Sequence, residues 1–213
     1  MKADAVNILV VGYRCSPLVA DLEAKCLASV LTTEHIYALQ YLDNFQHQMT
    51  LTVAWNRLIK YSPYNYVCLL NNDTNIVQPS WLSKMMETLW SDSSIGFVGP
   101  STNSCHSIQN SVPTLEKAES QKMITEVVPS PLSGFCLLFR KSLWDRLGGF
   151  DERYTLYGQE SDFCDRAHKL GFRSVWRRDA FVYHYGEVSV KSSGLDAEKA
   201  RQEAKDLYWK DRK

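Results

Sequence analysis

Short apolar runs and segments of helical spacing alternate along this chain, which is the pattern of an α/β protein. Runs rich in β-branched, aromatic and leucine side chains predict strands at 6–11, 36–42, 66–70, 95–98, 123–128, 135–139, 173–176 and 180–185. Apolar positions three or four residues apart predict helices at 17–30, 49–61, 79–90, 141–147, 157–170 and 196–209. Because strand and helix alternate from the start, the order βαβαβ predicts a mostly parallel sheet flanked by helices.

The first predicted helix and the helix at 157–170 carry the clearest buried faces. Ser16-Pro17 supplies a cap and a first-turn proline, and an apolar stripe at spacing four follows, formed by Leu18, Leu22, Cys26 and Val30. The later helix ends at Gly171, and its predicted buried side is Phe163, Ala167 and Leu170. Residues 100–122 are polar without clear periodicity, which predicts a mobile surface loop.

Polar side chains follow the strand at 66–70 abruptly, in the segment Asn-Asn-Asp-Thr-Asn at 71–75. In open α/β sheets ligands bind beyond the carboxyl ends of strands, so such a segment marks a candidate site. Asp73 would place a hard oxygen ligand there, suited to Mg²⁺ or Mn²⁺ beside phosphate. The same five residue types are ordinary in turns, and local composition alone leaves that alternative open.

Composition narrows the function classes. The 213 residues suit one domain, and 24 basic residues balance 24 acidic ones, which gives no support to a nucleic-acid partner or an anionic membrane surface. No apolar stretch reaches membrane-spanning length and no signal peptide is apparent, so a soluble, cytoplasmic protein is expected. Six scattered cysteines without a CxxC pair predict reduced thiols and neither a disulfide framework nor a zinc site. No GxGxxG or P-loop motif is present, which weighs against dinucleotide-binding and P-loop folds.

Several motifs in order resemble glycosyltransferase family 2, whose members have the GT-A fold. The matching segments are YLDN at 41–44, LLNNDT at 69–74, GGFDE at 148–152, GQESD at 158–162 and a late histidine in HYGEVS at 184–189. The resemblance covers roughly residues 6–190. It implies a GT-A glycosyltransferase domain at 1–190, followed by a helical tail at 191–213.

The resemblance also implies site residues. It places a Mn²⁺ or Mg²⁺ ion at Asp73 and His184, and a catalytic role at Glu160 or Asp162. The residues implied to bind the nucleotide are Tyr13, Arg14, Asp43, Asn44, Asn56 and Asn72. Two alternatives stay open from the residues themselves: Arg14 could pair with an acid, and Asp162 lies four residues before Arg166, where an intrahelical ion pair is favoured.

Three positions depart from the family pattern. Arg14 stands where an asparagine is common, Asn72 leaves one carboxylate in the metal motif where two often stand, and Glu160 falls where an aspartate commonly acts as base. These departures keep a catalytically inactive nucleotide-sugar or glycan-binding protein as the alternative. A sugar nucleotidyltransferase is disfavoured, because the loop after the first strand is poor in glycine.

The expected activity is an inverting, metal-dependent transfer of a sugar from a nucleotide sugar, with UDP- or dTDP-sugars favoured. The expected acceptor is a hydroxyl group, on a glycan during polysaccharide biosynthesis. Inverting transfer needs a base for the acceptor proton, a cation for the diphosphate and a fixed donor geometry. The sequence leaves the oligomeric state open.

Overall fold

A seven-stranded sheet forms the centre of the protein in a computed structural model that describes residues 4–129, 131–210 and 212. Its strands, with two short ones that pair separately, are β1 Val6–Gly12, β2 Tyr37–Asp43, β3 Tyr66–Asn71, β4 Thr74–Asn75, β5 Ile95–Ser101, β6 Thr125–Val128, β7 Cys136–Arg140, β8 Arg173–Phe181 and β9 Tyr183–His184. The order across the sheet is β2-β1-β3-β7-β5-β8-β6, and β4 pairs with β9.

Most strands of the sheet run in one direction. β1 pairs in parallel with β2 and β3, and β5 pairs in parallel with β8. β7 lies antiparallel between β3 and β5, and β6 is antiparallel to β8 at the edge. The predicted mostly parallel α/β sheet is therefore confirmed, and the antiparallel β7 brings its first residues beside the last ones of β3.

Helices cover both faces of this sheet. Within the described residues they are α1 Pro17–Val30, α2 Asn44–His47, α3 Leu51–Lys60, α4 Trp81–Ser91, α5 Leu115–Glu119, α6 Lys141–Leu147, α7 Gln159–His168, α8 Val188–Ser193 and α9 Ala197–Lys210. The predicted cap of α1 is present, since the Ser16 hydroxyl accepts a hydrogen bond from the Val19 N–H at 3.3 Å.

Alternate residues of β1 reach two separate cores, as expected of a strand buried on both faces. Ile8 packs in the cluster that contains α1 and α4, with Cys26 and Met85. Leu9 packs in the opposite cluster with Trp55 of α3 and Phe163 of α7. The sheet is thus the middle layer of three, and its edge at the carboxyl ends of β1 and β3 stays open between the layers.

The structure corrects four predictions. Leu18 and Leu170, expected on buried helix faces, are 57% and 46% exposed. The strand predicted at 173–176 continues to Phe181 as β8, so the predicted break before residue 180 is absent. The short strand β9, Tyr183–His184, follows separately. Residues 100–122 are not entirely loop, because they contain a 3₁₀ turn at Ile108–Ser111 and helix α5.

No helix among the described residues is long and apolar enough to cross a membrane. The six cysteines are all free thiols, as predicted, and Cys26, Cys68, Cys136 and Cys164 are buried.

Candidate active site

A cavity of about 1320 Å³ opens at the carboxyl ends of β1 and β3, beside the start of β7. The predicted site residues that line it are Tyr13, Asn44, Asn72, Asp73, Glu160 and His184. The other predicted site residues, which do not line it, are Arg14, Asp43, Asn56 and Asp162. The cavity therefore brings the proposed metal ligands and the proposed base to one space.

The short β4–β9 ladder places Asp73 against His184. Thr74 pairs with His184 in the ladder, and the Tyr185 N–H donates to the Asp73 carbonyl at 2.9 Å. The His184 Nε2 lies 3.1 Å from Asp73 Oδ1, and the Val188 N–H donates to Asp73 Oδ2 at 3.2 Å. Both side chains are buried apart from the side that faces the cavity.

The backbone fixes how the His184 ring presents its nitrogens. Nδ1 lies 2.7 Å from the Ser104 carbonyl oxygen, which only accepts, so Nδ1 carries a proton. Nε2 then either donates to Asp73 when the ring is charged or offers a lone pair when it is neutral. Phe135 stacks on the ring at 5.0 Å and holds its plane.

The two side chains shift each other's titration. Burial alone would raise the pKa of Asp73, but the hydrogen bond from His184 and the backbone N–H of Val188 outweigh it and lower that pKa. Burial alone would lower the pKa of His184, but the Asp73 carboxylate and the Ser104 carbonyl raise it. The two side chains can therefore form an ion pair with each other, or they can leave Asp73 Oδ1 and His184 Nε2 free as ligand atoms.

Asp73 and His184 fit a divalent cation that is shared with a ligand. They supply one carboxylate and one imidazole nitrogen at neighbouring positions on the cavity wall. Among the described residues no group of three or more His, Cys, Asp and Glu could hold a metal ion alone. The remaining ligands would have to come from phosphate oxygens and water, as is usual for Mg²⁺-type sites.

Glu160 lies in the first turn of α7 and lines the same cavity as the Asp73–His184 pair. Its side chain packs against Gly134, where a Cβ atom would come within 3.4 Å of Glu160 Cδ and 3.5 Å of the Trp55 ring. Burial raises the pKa of Glu160, although the backbone N–H groups of Glu160 and Gly134 act in the opposite direction. The site thus contains a partly desolvated carboxylate of increased basicity.

Arg14 is paired with a buried acid that the sequence pattern did not single out. Its Nε lies 2.5 Å from Glu23 Oε1 of α1, and its guanidinium sits 5.3 Å from the centre of the Tyr41 ring. The hydrogen bond that Arg14 donates to Glu23 raises the pKa of Arg14. Of the two roles left open for Arg14, the structure contains the ion pair.

Three other predicted nucleotide contacts have local structural partners. Asp43 caps α2 by accepting from the Phe45 N–H at 3.2 Å, and Asn44 bonds both backbone groups of Met49. Asn56 bonds the Phe150 carbonyl at 2.8 Å and the Phe150 N–H at 3.0 Å. Asn56 therefore holds the Gly-Gly-Phe-Asp-Glu loop against α3, away from the cavity.

Asp162 forms the intrahelical ion pair that its spacing predicts. Arg166 Nε lies 2.7 Å from Asp162 Oδ2, and the same guanidinium donates to the carbonyls of Leu147 and Gly149 at 2.8 Å. Arg212 approaches Asp162 Oδ1 at 3.8 Å. These contacts occupy the Asp162 carboxylate behind the cavity, whereas Glu160 faces into it.

The outer wall of the cavity is formed by α8 and α9, whose contribution the sequence pattern did not reveal. Glu187, just before α8, pairs with Arg201 of α9 and accepts from the Tyr157 hydroxyl at 3.2 Å. The Arg201 guanidinium lies 4.9 Å from the centre of the Tyr157 ring. Burial would raise the pKa of Glu187, but Arg201 lowers it overall.

Solved structures share this architecture. A mannosyltransferase, PcManGT from Pyrobaculum calidifontis in complex with GDP-Man and Mn²⁺, superposes with a TM-score of 0.62 at 15% identity, covering 85% of this chain and 57% of that chain. GalNAc-T7 with UDP, GalNAc and Mn²⁺ gives a TM-score of 0.64 at 9% identity, covering 85% and 44%. At such identities the likeness establishes the fold, and the predicted GT-A fold is confirmed.

Relatives found by sequence match a smaller part of this chain than the solved structures do. A Mycobacterium tuberculosis protein named N-acetylglucosaminyl-diphospho-decaprenol L-rhamnosyltransferase is 45% identical over 65 residues, which is 30% of this chain and 20% of that protein. An uncharacterized Sinorhizobium fredii protein, y4gI, is 23% identical over 175 residues, 74% of this chain and 19% of its own length. No family model matches the chain. The chain spans about a fifth of the length of these relatives.

Proposed function

We propose, since the chain has the GT-A fold of glycosyltransferases, that it transfers a sugar from a nucleotide diphosphate sugar to an acceptor hydroxyl with inversion at the anomeric carbon. The observation that carries this proposal is one cavity lined by the Asp73–His184 pair and by the desolvated carboxylate of Glu160. The GT-A domain at 1–190 would hold these residues, with the tail at 191–213 closing the outer wall.

Glu160 would act as the base. Inverting transfer requires a carboxylate to accept the acceptor's hydroxyl proton while that oxygen attacks the sugar from the face opposite the diphosphate. The raised pKa of Glu160 makes its carboxylate a stronger proton acceptor than an exposed glutamate. Asp162, paired with Arg166, would orient α7 and so act as a positioning residue.

Asp73 and His184 would hold Mn²⁺ or Mg²⁺ through Oδ1 and Nε2. A cation bound there would neutralise the charge that develops on the departing diphosphate. The Ser104 carbonyl supports this role because it keeps the His184 proton on Nδ1 and leaves Nε2 as the ligand atom. Binding would displace the His184–Asp73 hydrogen bond, so the pair serves as the resting state of the site.

Tyr13 and Asn72 would form the nucleotide end of the cavity. Tyr13 packs edge-on against Phe45 with ring centres 5.6 Å apart, and its hydroxyl reaches Gln48 at 3.4 Å. This leaves an aromatic surface at the carboxyl end of β1, where the base of the nucleotide would lie. We favour UDP- and dTDP-sugars as donors, and the rhamnosyltransferase relative makes a rhamnose donor the first to test. The acceptor would be a glycan hydroxyl in polysaccharide biosynthesis.

The test is a donor screen with UDP-, GDP- and dTDP-sugars in the presence of Mn²⁺, Mg²⁺ or chelator. We expect consumption of one donor only with the metal, no consumption by Asp73→Asn, and retained nucleotide binding with slow transfer by Glu160→Gln. Asp145→Asn is the matched control, because this exposed acid pairs with Lys141 in the same helix and does not line the cavity. The anomeric configuration of the product, read by NMR, checks inversion.

A different result would support a binding protein without catalysis. In that case nucleotide would bind with the same affinity in chelator as in Mn²⁺, and none of the donors would be consumed. Retention of configuration in the product would contradict the role of Glu160 as a base.

A further inference from the structure

Glu23 of α1 is a fully buried carboxylate that lies beneath the nucleotide end of the cavity. Four donors saturate it. Oε1 accepts from Arg14 Nε at 2.5 Å and from the Tyr41 hydroxyl at 2.6 Å, and Oε2 accepts from the Tyr13 N–H and from Asn72 Nδ2, both at 3.1 Å. A buried charge is tolerated when its lone pairs are filled in this way.

The donors come from three separate parts of the sheet edge. Tyr13 and Arg14 follow β1, Tyr41 lies in β2, and Asn72 follows β3. The carboxylate therefore ties the ends of three parallel strands together at the point where they meet the cavity. Burial and the neighbouring Glu23 carboxylate raise the pKa of Tyr41 well above its usual value, so its hydroxyl stays a donor.

We propose that Glu23 is the positioning residue of the nucleotide subsite, and that it sets the place of Tyr13 and the orientation of Asn72. This inference rests on the proposed function. Glu23 does not line the cavity itself, so it acts through the residues that do. Arg14 neutralises the charge of Glu23, to which its Nε donates.

The effect reaches the neighbourhood of Asp73. With its nitrogen held by Glu23, the Asn72 amide turns its oxygen to the Ser189 hydroxyl at 3.3 Å. Ser189 belongs to α8, whose first residue, Val188, donates to Asp73 Oδ2. Glu23 thereby fixes both the strand end that carries Asp73 and the helix that hydrogen-bonds to it.

The same geometry accounts for the amide at position 72. A carboxylate in place of Asn72 would lie against Glu23 Oε2, where two buried negative charges repel each other. The structure thus requires a donor at position 72 while Glu23 is present. The space around Glu23 is also tight at Gly12, where a Cβ atom would come within 2.3 Å of Glu23 Oε2.

A charge exchange between positions 23 and 72 tests the contact without any nucleotide. Glu23→Gln and Asn72→Asp each lower the urea midpoint, and the double variant restores part of the loss because one carboxylate again faces one amide. We also expect faster amide hydrogen exchange at Tyr13 in Glu23→Gln. Val30→Ala, a core change at the far end of α1, is the control for general loss of stability.

Tyr41→Phe gives the milder probe, because it removes one donor to Glu23 and Tyr41 does not line the cavity. We expect nucleotide binding, measured with UDP, GDP and dTDP in Mn²⁺, to weaken several-fold in Tyr41→Phe and about tenfold in Glu23→Gln. Val30→Ala should keep the wild-type affinity.

The outcomes separate this inference from the proposed function. Additive losses in the charge exchange, or Tyr13 exchange no faster in Glu23→Gln than in Val30→Ala, would overturn the role of Glu23. Wild-type affinity in both Glu23→Gln and Tyr41→Phe would do the same. Failure of the wild-type chain to bind any of the nucleotides would overturn the proposed function. The urea midpoints of the charge exchange and the hydrogen-exchange rate of the Tyr13 amide would still test the role of Glu23.

Discussion

His184 Nε2 lies 3.1 Å from Asp73 Oδ1, although 111 positions separate the two residues in the chain. The contact exists because β9 pairs with β4 immediately beyond the central sheet. In this structure the two buried side chains are hydrogen-bonded to each other. The atoms that form this bond are the ones that would bind the proposed cation. The stability of the fold and the proposed cation binding would therefore depend on the same pair.

The Asp73–His184 pair makes stability depend on pH. Asp73 has a lowered pKa, so its contribution is present above about pH 4 and is lost as the pH falls further. His184 has a raised pKa, so its contribution is present below about pH 6.5 and is lost as the pH rises through the raised value. We expect His184→Gln to destabilise by about 3 kcal/mol near pH 5.5, and by less at pH 8.5. Urea unfolding in chelator measures both, and an equal loss at the two pH values would contradict the ion pair.

Glu160→Gln is expected to stabilise the protein while slowing transfer. Because burial raises the pKa of Glu160, the folded state disfavours its charged form, and the variant removes that cost at neutral pH but not below about pH 4. As the loss of a general base, it should reduce transfer by about 10²-fold to 10⁴-fold. Urea midpoints at pH 7.5 and pH 4, measured beside the transfer rate, check both effects. Lower stability at pH 7.5 would show that Glu160 has a favourable buried partner.

Asn56→Ala is expected to cost about 1–3 kcal/mol of folding free energy, because it leaves the Phe150 N–H and carbonyl without partners. Its side chain does not line the cavity, so nucleotide affinity per folded molecule should stay at the wild-type value. Asn110→Ala, at an exposed asparagine, is the matched control. A specific loss of nucleotide affinity in Asn56→Ala, without loss of stability, would restore the direct contact predicted from the sequence.

Arg201→Ala is expected to release α9 from the outer wall of the cavity. The change removes the partner of Glu187 and the cation above the Tyr157 ring. Limited proteolysis should then cleave between α8 and α9 severalfold faster than in the wild type. Lys210→Ala, an exposed cation of the same helix, is the control. Equal cleavage rates in the two variants would mean that other contacts hold the helix.

The sheet was largely predictable because its strands are buried on both faces and read as continuous apolar runs. β8 was the exception, since the charged residues Arg177 and Asp179 lie between the two apolar runs at 173–176 and 180–185. Inside the protein Arg177 Nε donates to Asp179 Oδ1 at 2.5 Å and its Nη1 donates to the Thr88 hydroxyl at 3.1 Å. Paired in this way, polar side chains continue a buried strand, which periodicity alone does not indicate.

The position of Asp73 on the cavity wall was predictable because this residue follows the end of its own strand, and the family resemblance pointed to Glu160, which lines the same cavity. Glu23 was not, because it lies within an amphipathic helix and its donors come from three other segments. The stripe at spacing four included Leu18, yet in the structure Leu18 is exposed and Glu23 is buried. The four donors that surround Glu23 lie on other segments, so no local pattern records that this residue is buried.

The β4–β9 ladder also determines when, during synthesis, Asp73 and His184 can come together. β1, β2 and β3 are adjacent in sequence and can pair early, but the proposed cation site needs β9, which emerges from the ribosome more than a hundred residues later. A nascent chain that has folded its first βαβαβ unit therefore carries Asp73 without its histidine. Such an intermediate would hold only one of the two proposed cation ligands, so on the proposed function activity would begin only after β9 has paired with β4.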